Sequence, residues 1–271
     1  MMRVFVEGVG LCAPGLNGWA ASRDILAGLV PYVPEPAIVP ASALLPPAER
    51  RRAVPAVKMA MAVGSEAFAH AARNAGDTAT VFASSSGDAQ TIHQIFEMLA
   101  EPEPEMSPTR FHNSVHNAPA GYWSIATASR APSTSLSCAD DSFAAGLLEA
   151  ASQVAVDRRC VGLIAYDLPY PPPLDAVRPI PAPFGAALVL SPEPTPRSFA
   201  DLRISLVSTT GEPPREPRQE PPLDAQLESM RRTNPAARAL PLLAAFARGT
   251  SDRIVLAYPG GQQVHVTVSP C

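Results

Sequence analysis

The fold of this protein is decided by one stretch near the middle of the chain, which reads Thr134-Ser-Leu-Ser-Cys138-Ala-Asp140-Asp141-Ser-Phe-Ala-Ala-Gly-Leu-Leu-Glu-Ala150. Its first residues favour a short strand, its small polar centre favours a sharp turn, and its later apolar spacing predicts a long amphipathic helix. Such a junction places a side chain against the helix N-terminus, where backbone N–H groups and the helix dipole stabilise negative charge. In a thiol enzyme, a nucleophilic cysteine gains thiolate character at this place.

On both sides of this stretch, short apolar strands alternate with helices. Strands are predicted at Arg3–Val9, Thr78–Ser84, Ser133–Ser137, Cys160–Tyr166, Ala186–Leu190 and Leu202–Val207. Helices are predicted at Trp19–Ala27, Ala53–Ala72, Ala89–Leu99, Ala118–Ala128, Asp141–Val156, Leu223–Arg232 and Leu240–Ala247. Gly8 and Gly10 are expected to end the first strand in a turn. The alternation predicts an α/β layered fold, in which a mixed sheet carries helices on both faces.

The composition limits the classes of protein to which the chain can belong. The 271 residues are 46% hydrophobic and 17% charged, so the chain can bury enough apolar surface to offset its ordering entropy. A formal net charge of -4 without long runs of one sign disfavours nucleic-acid binding. No apolar run approaches the roughly 20 residues of a membrane helix, and Glu7 follows too few apolar residues for a signal peptide. Scattered cysteines disfavour a disulfide framework and a zinc site. We therefore expect a cytoplasmic protein without metal, cofactor, nucleic acid or membrane partner.

Clusters of proline residues suggest the domain organisation of the chain. The 32 prolines predict loops and linkers where they cluster, at Pro31–Pro47, Pro169–Pro196 and Pro213–Pro222. We expect an N-terminal α/β domain at residues 1–195 and a C-terminal segment at residues 196–271. That segment comprises a proline-rich linker at Gly211–Pro222, helices, and a hairpin of strands Arg253–Tyr258 and Gln263–Val268. The hairpin is expected to complete the main sheet, because a sheet left open at a hydrophobic strand would aggregate.

Several segments resemble, in the same order, parts of the β-ketoacyl synthases of the thiolase-like fold. Val6-Glu-Gly-Val-Gly-Leu-Cys-Ala-Pro-Gly15 and the segment up to Gly28 are similar to the opening strand, turn and first helix of that family. Arg50-Arg-Arg to Ala75-Gly76 is similar to its arginine-led, alanine-rich helix. His116-Asn-Ala-Pro-Ala-Gly121, followed by Arg130-Ala-Pro-Ser, is similar to the segment before its nucleophile strand. The resemblance implies a thiolase-like layered fold with the N-terminal half of a ketosynthase and a truncated C-terminal half.

The nucleophile of this family follows a Ser/Thr-Ala-Cys-Ala-Ser/Thr-Gly pattern, from which the chain departs. With the strand end and the helix aligned, Asp140 falls on the nucleophile position, and a carboxylate cannot form the acyl thioester. In the alternative register Cys138 is the nucleophile, but Asp140 and Asp141 then crowd the first helical turn and raise the pKa of the thiol. The family's catalytic histidines lie in C-terminal His-Gly-Thr and Gly-His segments that do not occur in this chain, and only His265 follows His116. We therefore predict that the chain has no catalytic residues of its own.

With these departures the chain is most similar to short, non-catalytic ketosynthase relatives that act like chain-length factors, in particular the truncated partner subunit of aryl polyene ketosynthases. The resemblance implies a heterodimer with a complete β-ketoacyl synthase in fatty-acid or polyketide biosynthesis. The ketosynthase would supply the cysteine and both histidines, this chain would shape the acyl tunnel, and an acyl carrier protein would be an indirect partner. In family dimers the strand before the nucleophile pairs across the two-fold axis. The residues expected at the interface or tunnel are Phe111, His112, His116, Asn117, Ser133, Thr134, Ser135 and Leu136.

Other interpretations of the same residues stay open. Asp140 is also typical of a first-turn carboxylate that the helix dipole stabilises without any catalytic role. Cys138 is also typical of a small, buried apolar residue. A small acyl-transfer or hydrolytic enzyme would use Cys138 or Asp140 with His112 or His116. A homodimeric scaffold protein would use the same strand edge. His112 and His116, four residues apart, could share a helical face, but no ligand at suitable spacing accompanies them, so no metal site is predicted.

Overall fold

The computed structural model describes residues 1–208 and 222–271, in which strands and helices alternate along most of the chain. The strands are β1 (Met2–Ala13), β2 (Leu16–Asn17), β3 (Ala79–Ala83), β4 (Ser133–Leu136), β5 (Val161–Asp167), β6 (Phe184–Ser191), β7 (Ala200–Ser208), β8 (Asp252–Tyr258) and β9 (Gln262–Pro270). The helices are α1 (Trp19–Leu26), α2 (Pro47–Arg52), α3 (Pro55–Ala71), α4 (Ala89–Leu99), α5 (Pro108–Ser114), α6 (Ala118–Thr127), α7 (Ser142–Asp157), α8 (Leu174–Val177), α9 (Ala225–Thr233) and α10 (Leu240–Arg248). The linker predicted at Gly211–Pro222 lies outside the described residues, apart from Pro222.

All of these strands belong to one mixed sheet, with the order β4-β3-β5-β6-β1-β7-β9-β8 and β2 paired to β1 alone. β3 pairs in parallel with both β4 and β5, whereas the remaining pairs are antiparallel. The hairpin of β8 and β9 joins the sheet through β7, so the expectation that it completes the main sheet is confirmed. β7, β8 and β9 thus continue the sheet of the N-terminal region, and the domain boundary at residue 195 stays a prediction.

Helices cover both faces of the sheet, as predicted. Side chains of α3 and α6 fill the core on one face, and those of α1, α7, α9 and α10 fill it on the other. α7 contacts β3 and β5 near one edge and also β8 at the other edge. In a flat sheet β3 and β8 would lie about 29 Å apart, longer than the roughly 24 Å of a 16-residue helix. The sheet therefore curves around α7, which becomes the central helix of the fold.

The first strand is longer than predicted, because two of its glycines have a different role. Gly8 and Gly10 do not end the strand in a turn, and β1 continues to Ala13. A Cβ atom at Gly8 would lie 2.1 Å from Ala67 O, and one at Gly10 would lie 1.9 Å from Val63 O, both on α3. The two glycines allow the backbone of α3 to pack directly against the backbone of β1. The turn comes later, at Gly15, where φ is +67°.

Candidate functional site

The turn between β4 and α7 holds the two candidate nucleophile positions. β4 ends at Leu136, a 3₁₀ turn spans Ala139–Asp141, and α7 begins at Ser142. Ser142 Oγ accepts a hydrogen bond from the Cys138 N–H at 2.9 Å and donates one to Ala139 O at 2.7 Å. Ala139 has a φ of +47°, in the left-handed region that costs energy for a residue with a Cβ. The chain therefore turns sharply from strand to helix, and the two hydrogen bonds of the Ser142 hydroxyl stabilise this turn.

Ion pairs hold the two carboxylates of this turn. Asp140 is exposed, and its Oδ1 accepts a hydrogen bond from Arg178 Nη2 at 2.7 Å. Asp141 Oδ1 lies 3.4 Å from Arg238 Nη1, and burial raises the pKa of this carboxyl while the Arg238 charge opposes the rise. The side chain of Asp141, the N-cap residue of α7, makes no capping hydrogen bond. Arg178, Arg232 and Arg238 line a cavity of about 300 Å³ beside Asp140.

Cys138 lies at the base of the turn, and its surroundings disfavour a thiolate. Burial raises the pKa of its thiol, and the negative charge of Asp141 raises it further. Throughout the part of the chain that the structure describes, no histidine forms a hydrogen bond with Cys138 or Asp140. A thiol with a raised pKa and no neighbouring base is a poor nucleophile at neutral pH.

The histidines before the turn have other contacts. The interpretation that His112 and His116 share a helical face is wrong, because α5 ends at Ser114 and His116 lies beyond it. The ring of His112 meets Tyr122 edge-on, with centroids 5.8 Å apart. His116 Nε2 lies 2.9 Å from Ser84 O, at the end of β3. The two rings therefore belong to different contacts and do not form a pair.

The strand that leads into the turn is an edge of the sheet. Within the described ranges β4 pairs only with β3, so its other side offers unpaired backbone N–H and C=O groups. Ser133 and Ser135 face α6, because both line a groove with residues of that helix. Thr134 and Leu136 face α7: Thr134 Oγ1 accepts a hydrogen bond from Gln153 Nε2 at 3.1 Å, and Leu136 packs against the core on that face. The four predicted interface residues of this strand thus divide between the two faces of the sheet.

The groove between β4 and α6 has a volume of about 510 Å³. It is lined by His116, Asn117, Ala120, Gly121, Ser124, Ser133 and Ser135. Four of the eight predicted interface residues therefore lie together here. Phe111 and His112, on α5, are not among the lining residues. Phe111 is nevertheless 60% exposed, and its helix contacts α6, which in turn contacts β4.

A buried polar network lies below the turn, and the sequence patterns did not predict it. Asp167, at the end of β5, is 1% exposed, and its Oδ1 accepts hydrogen bonds from Ser85 N at 2.8 Å, Ser85 Oγ at 2.7 Å and Ser84 Oγ at 3.2 Å. Burial raises the pKa of Asp167 to about 6, although the hydrogen bonds from Ser85 and Ser84 oppose the rise. Ser137 Oγ donates to Ser85 O at 2.9 Å, and Asn234 Nδ2 donates to Asp167 O at 3.2 Å. The network therefore ties the ends of β3, β4 and β5 to the C-terminal region.

The described residues contain neither a metal-binding cluster nor a membrane-spanning helix. Within residues 1–208 and 222–271, no group of three or more His, Cys, Asp or Glu side chains is placed to hold a metal ion. Among the helices of these same two ranges, none is long and apolar enough to cross a membrane. The predicted lack of a metal or cofactor stays a prediction.

The sequence profile of one protein family covers most of this architecture. The family is described as Beta-ketoacyl synthase, N-terminal domain, and its profile matches residues 23–244, from α1 to α10. The match extends beyond the turn between β4 and α7 and includes α9 and most of α10. No curated protein sequence matches the chain significantly.

Solved structures of ketosynthases are similar to nearly the whole chain. The ketosynthase ApeO in complex with its chain length factor ApeC, from Xenorhabdus doucetiae, aligns with a TM-score of 0.72 at 22% identity, covering 98% of this chain and 100% of that chain. The ishigamide ketosynthase/chain length factor aligns with a TM-score of 0.72 at 12% identity, covering 100% and 99%. A β-ketoacyl synthase from Burkholderia phymatum STM815 aligns with a TM-score of 0.70 at 12% identity, covering 100% of both chains. The predicted thiolase-like ketosynthase fold is confirmed.

Proposed function

The chain belongs to the β-ketoacyl synthase N-terminal domain family, and from this premise we propose that it is a non-catalytic, chain-length-factor-like subunit of a ketosynthase heterodimer. A complete β-ketoacyl synthase supplies the nucleophilic cysteine and the histidines for condensation, in fatty-acid or polyketide biosynthesis of the aryl polyene type. This chain supplies part of the wall of the acyl tunnel. An acyl carrier protein reaches it only indirectly, through the ketosynthase, and the complex works in the cytoplasm.

The observation that carries the proposal is the free edge of β4 immediately before the nucleophile turn. An edge strand presents a row of unpaired N–H and C=O groups, which is a template for a strand of another chain. The family resemblance implies a dimer axis beside this same strand. Pairing there would extend one sheet through both subunits, with Asp140 and the partner's nucleophile on equivalent turns.

The chemistry of the turn supports a role without catalysis. Condensation by this family starts with an acyl thioester on a cysteine, which requires a thiolate and, later, bases to move protons. In this chain Asp140 is engaged with Arg178, and Cys138 has a raised pKa and no hydrogen bond to a histidine in the described residues. The small-enzyme alternative needs a histidine beside one of these groups, so the geometry gives it no specific support.

The contribution to the tunnel rests on Phe111 of α5 and on Val115, which directly follows that helix. Phe111 exposes 60% of its surface, and Val115 exposes 48%, so two apolar side chains near the β4 edge are available for contact with another protein. In the heterodimer both are expected to lie near the pocket of the ketosynthase and to limit the length of the acyl chain. Phe111→Ala should therefore give longer products by mass spectrometry, whereas Val156→Ala, an exposed position near the far end of α7, should leave product length unchanged.

Co-expression with a complete ketosynthase from the same organism tests the proposal. We expect a 1:1 complex by light scattering, with condensation activity in the complex only. Cys138→Ala in this chain should preserve the activity, and replacing the partner's nucleophilic cysteine should abolish it. If the chain were a monodisperse monomer that does not bind the ketosynthase, the proposal would be contradicted. A stable homodimer would favour the scaffold alternative, and loss of activity in Cys138→Ala would favour the enzyme alternative.

A further inference from the structure

We infer that the groove between β4 and α6 is closed, in the heterodimer, by a hydrogen-bonding surface of the partner subunit rather than by an apolar one. This inference rests on the proposed function, because it takes the ketosynthase as the occupant of the β4 edge. It specifies the chemistry of that occupant: hydroxyl, amide or charged side chains at the positions that meet the groove.

The lining of the groove is mainly polar. Five of its seven lining residues have polar side chains, namely His116, Asn117, Ser124, Ser133 and Ser135. The other two are small, Ala120 and Gly121, so no large apolar side chain lines the groove. The exposed apolar residues of this region, including Phe111 and Ile125, are not among the lining residues.

Several of these side chains have unused hydrogen-bonding capacity. Asn117 and Ser135 make no side-chain hydrogen bond to any described residue. Ser133 Oγ accepts a hydrogen bond from Thr80 Oγ1 at 3.0 Å, and its own O–H stays available as a donor. In the free chain Asn117 and Ser133 are exposed and Ser135 is partly exposed, so water can reach these groups. A partner that covers the groove must replace that water.

Pairing at the edge of β4 would bury these groups. A strand added to a sheet lies about 4.8 Å from its neighbour, so its side chains on the α6 face stand next to Ser133 and Ser135. If those side chains were apolar, each buried hydroxyl or amide would lose its water without replacement. Each such loss would weaken association about 5- to 150-fold. A partner that binds tightly at this edge therefore presents hydrogen-bonding groups.

Gly121 allows a covering surface to come close to α6. Glycine weakens the interior of a helix relative to alanine, and a Cβ atom at Gly121 would meet no described atom within 4 Å. Packing within this chain therefore does not require the glycine. The open space beside Gly121 leaves room for a partner backbone or side chain to approach α6 closely.

The test compares Ser135→Thr with Ser135→Val in the complex with the co-expressed ketosynthase. The two variants have nearly the same shape and differ in one hydroxyl. We expect the dissociation constant of Ser135→Val to exceed that of Ser135→Thr about 5- to 150-fold by surface plasmon resonance. The same two substitutions at Ser205 are the control: this residue is a half-buried serine of β7, five strand spacings or about 24 Å from β4, and both variants should bind like the unmodified chain.

The outcomes separate this inference from the proposed function. If all variants bind and Ser135→Val binds as tightly as Ser135→Thr or more tightly, the facing surface is apolar and the inference is wrong, while the proposed function stands. If the unmodified chain forms no complex with the ketosynthase, the proposed function fails and the inference fails with it. Equal weakening by the Ser205 variants would point to a general effect on folding and would also overturn the inference.

Discussion

Replacing the buried Asp167 by asparagine should make the protein more stable at neutral pH, although it removes a hydrogen-bonded side chain. The asparagine Oδ1 can accept the two shorter hydrogen bonds that the carboxylate accepts, from Ser85 N and Ser85 Oγ. Asp167 Oδ2 is buried and has no partner among the described residues, so the amide nitrogen replaces an atom that is already unpartnered and breaks no bond there. What the substitution removes is the cost of burying a negative charge.

The magnitude follows from the pKa. Burial raises the pKa of Asp167 to about 6, compared with 3.8 for an unperturbed aspartate. A difference of about two pH units corresponds to about 3 kcal/mol at 1.36 kcal/mol per unit. Since the folded-state pKa is the higher one, the proton stabilises the fold below about pH 4, and this stabilisation is lost as the pH rises through 6. The advantage of Asp167→Asn should therefore grow between pH 4 and pH 6 and stay constant above pH 7.

Urea denaturation of both proteins at half-unit steps from pH 4 to pH 8 measures this difference. Asp175→Asn, which removes an exposed carboxylate from the short helix α8, is the matched control and should show no comparable trend. The reasoning is refuted if the difference in free energy of unfolding between Asp167→Asn and the unmodified protein changes by less than about 0.5 kcal/mol over this range. It is also refuted if the variant is the less stable protein at pH 7.5.

Two further predictions concern backbone packing and the thiol. Gly10→Ala places a Cβ 1.9 Å from Val63 O and should cost at least the 1–3 kcal/mol typical of overpacked cores, whereas the matched Gly121→Ala meets no described atom and should raise the stability of the free chain by up to about 1 kcal/mol. Thermal melts of both variants check this, and similar melting temperatures would contradict it. Cys138 should react with iodoacetamide at pH 7.5 no faster than a free thiol, because burial and a nearby carboxylate raise its pKa. Rapid single-site alkylation in a peptide map would show that the turn activates the thiol after all.

Elements with a sustained apolar pattern could be predicted from the sequence almost to their ends. The central helix was predicted at Asp141–Val156 and spans Ser142–Asp157. α2 and α5 were not predicted, because they are short, have few or no buried residues and begin with a proline that also marks loops. Gly8 and Gly10 were misinterpreted since only the position of α3 distinguishes a turn glycine from one required by close packing.

In the candidate site, too, residues that are contiguous in the sequence could be predicted, and residues that only the fold brings together could not. The turn with Cys138 and Asp140 could be predicted because its residues are contiguous. Their partners could not: Arg178 is 38 residues from Asp140, and Ser85 is 82 residues from Asp167, so only the folded sheet brings them together. One signal was available, because Asp167 directly follows the predicted strand Cys160–Tyr166, at the carboxyl end where parallel strands place their polar residues.

Intact-protein mass spectrometry after incubation with an acyl-loaded carrier protein and malonyl carrier protein tests the central claim most directly. The chain should be assayed alone and in complex with the ketosynthase. In the complex, the acyl group is predicted on the partner's cysteine only, and the mass of this chain stays unchanged under both conditions. If the purified chain alone gained the mass of an acyl group and released elongated products, it would be a condensing enzyme in its own right, and a non-catalytic role would be ruled out.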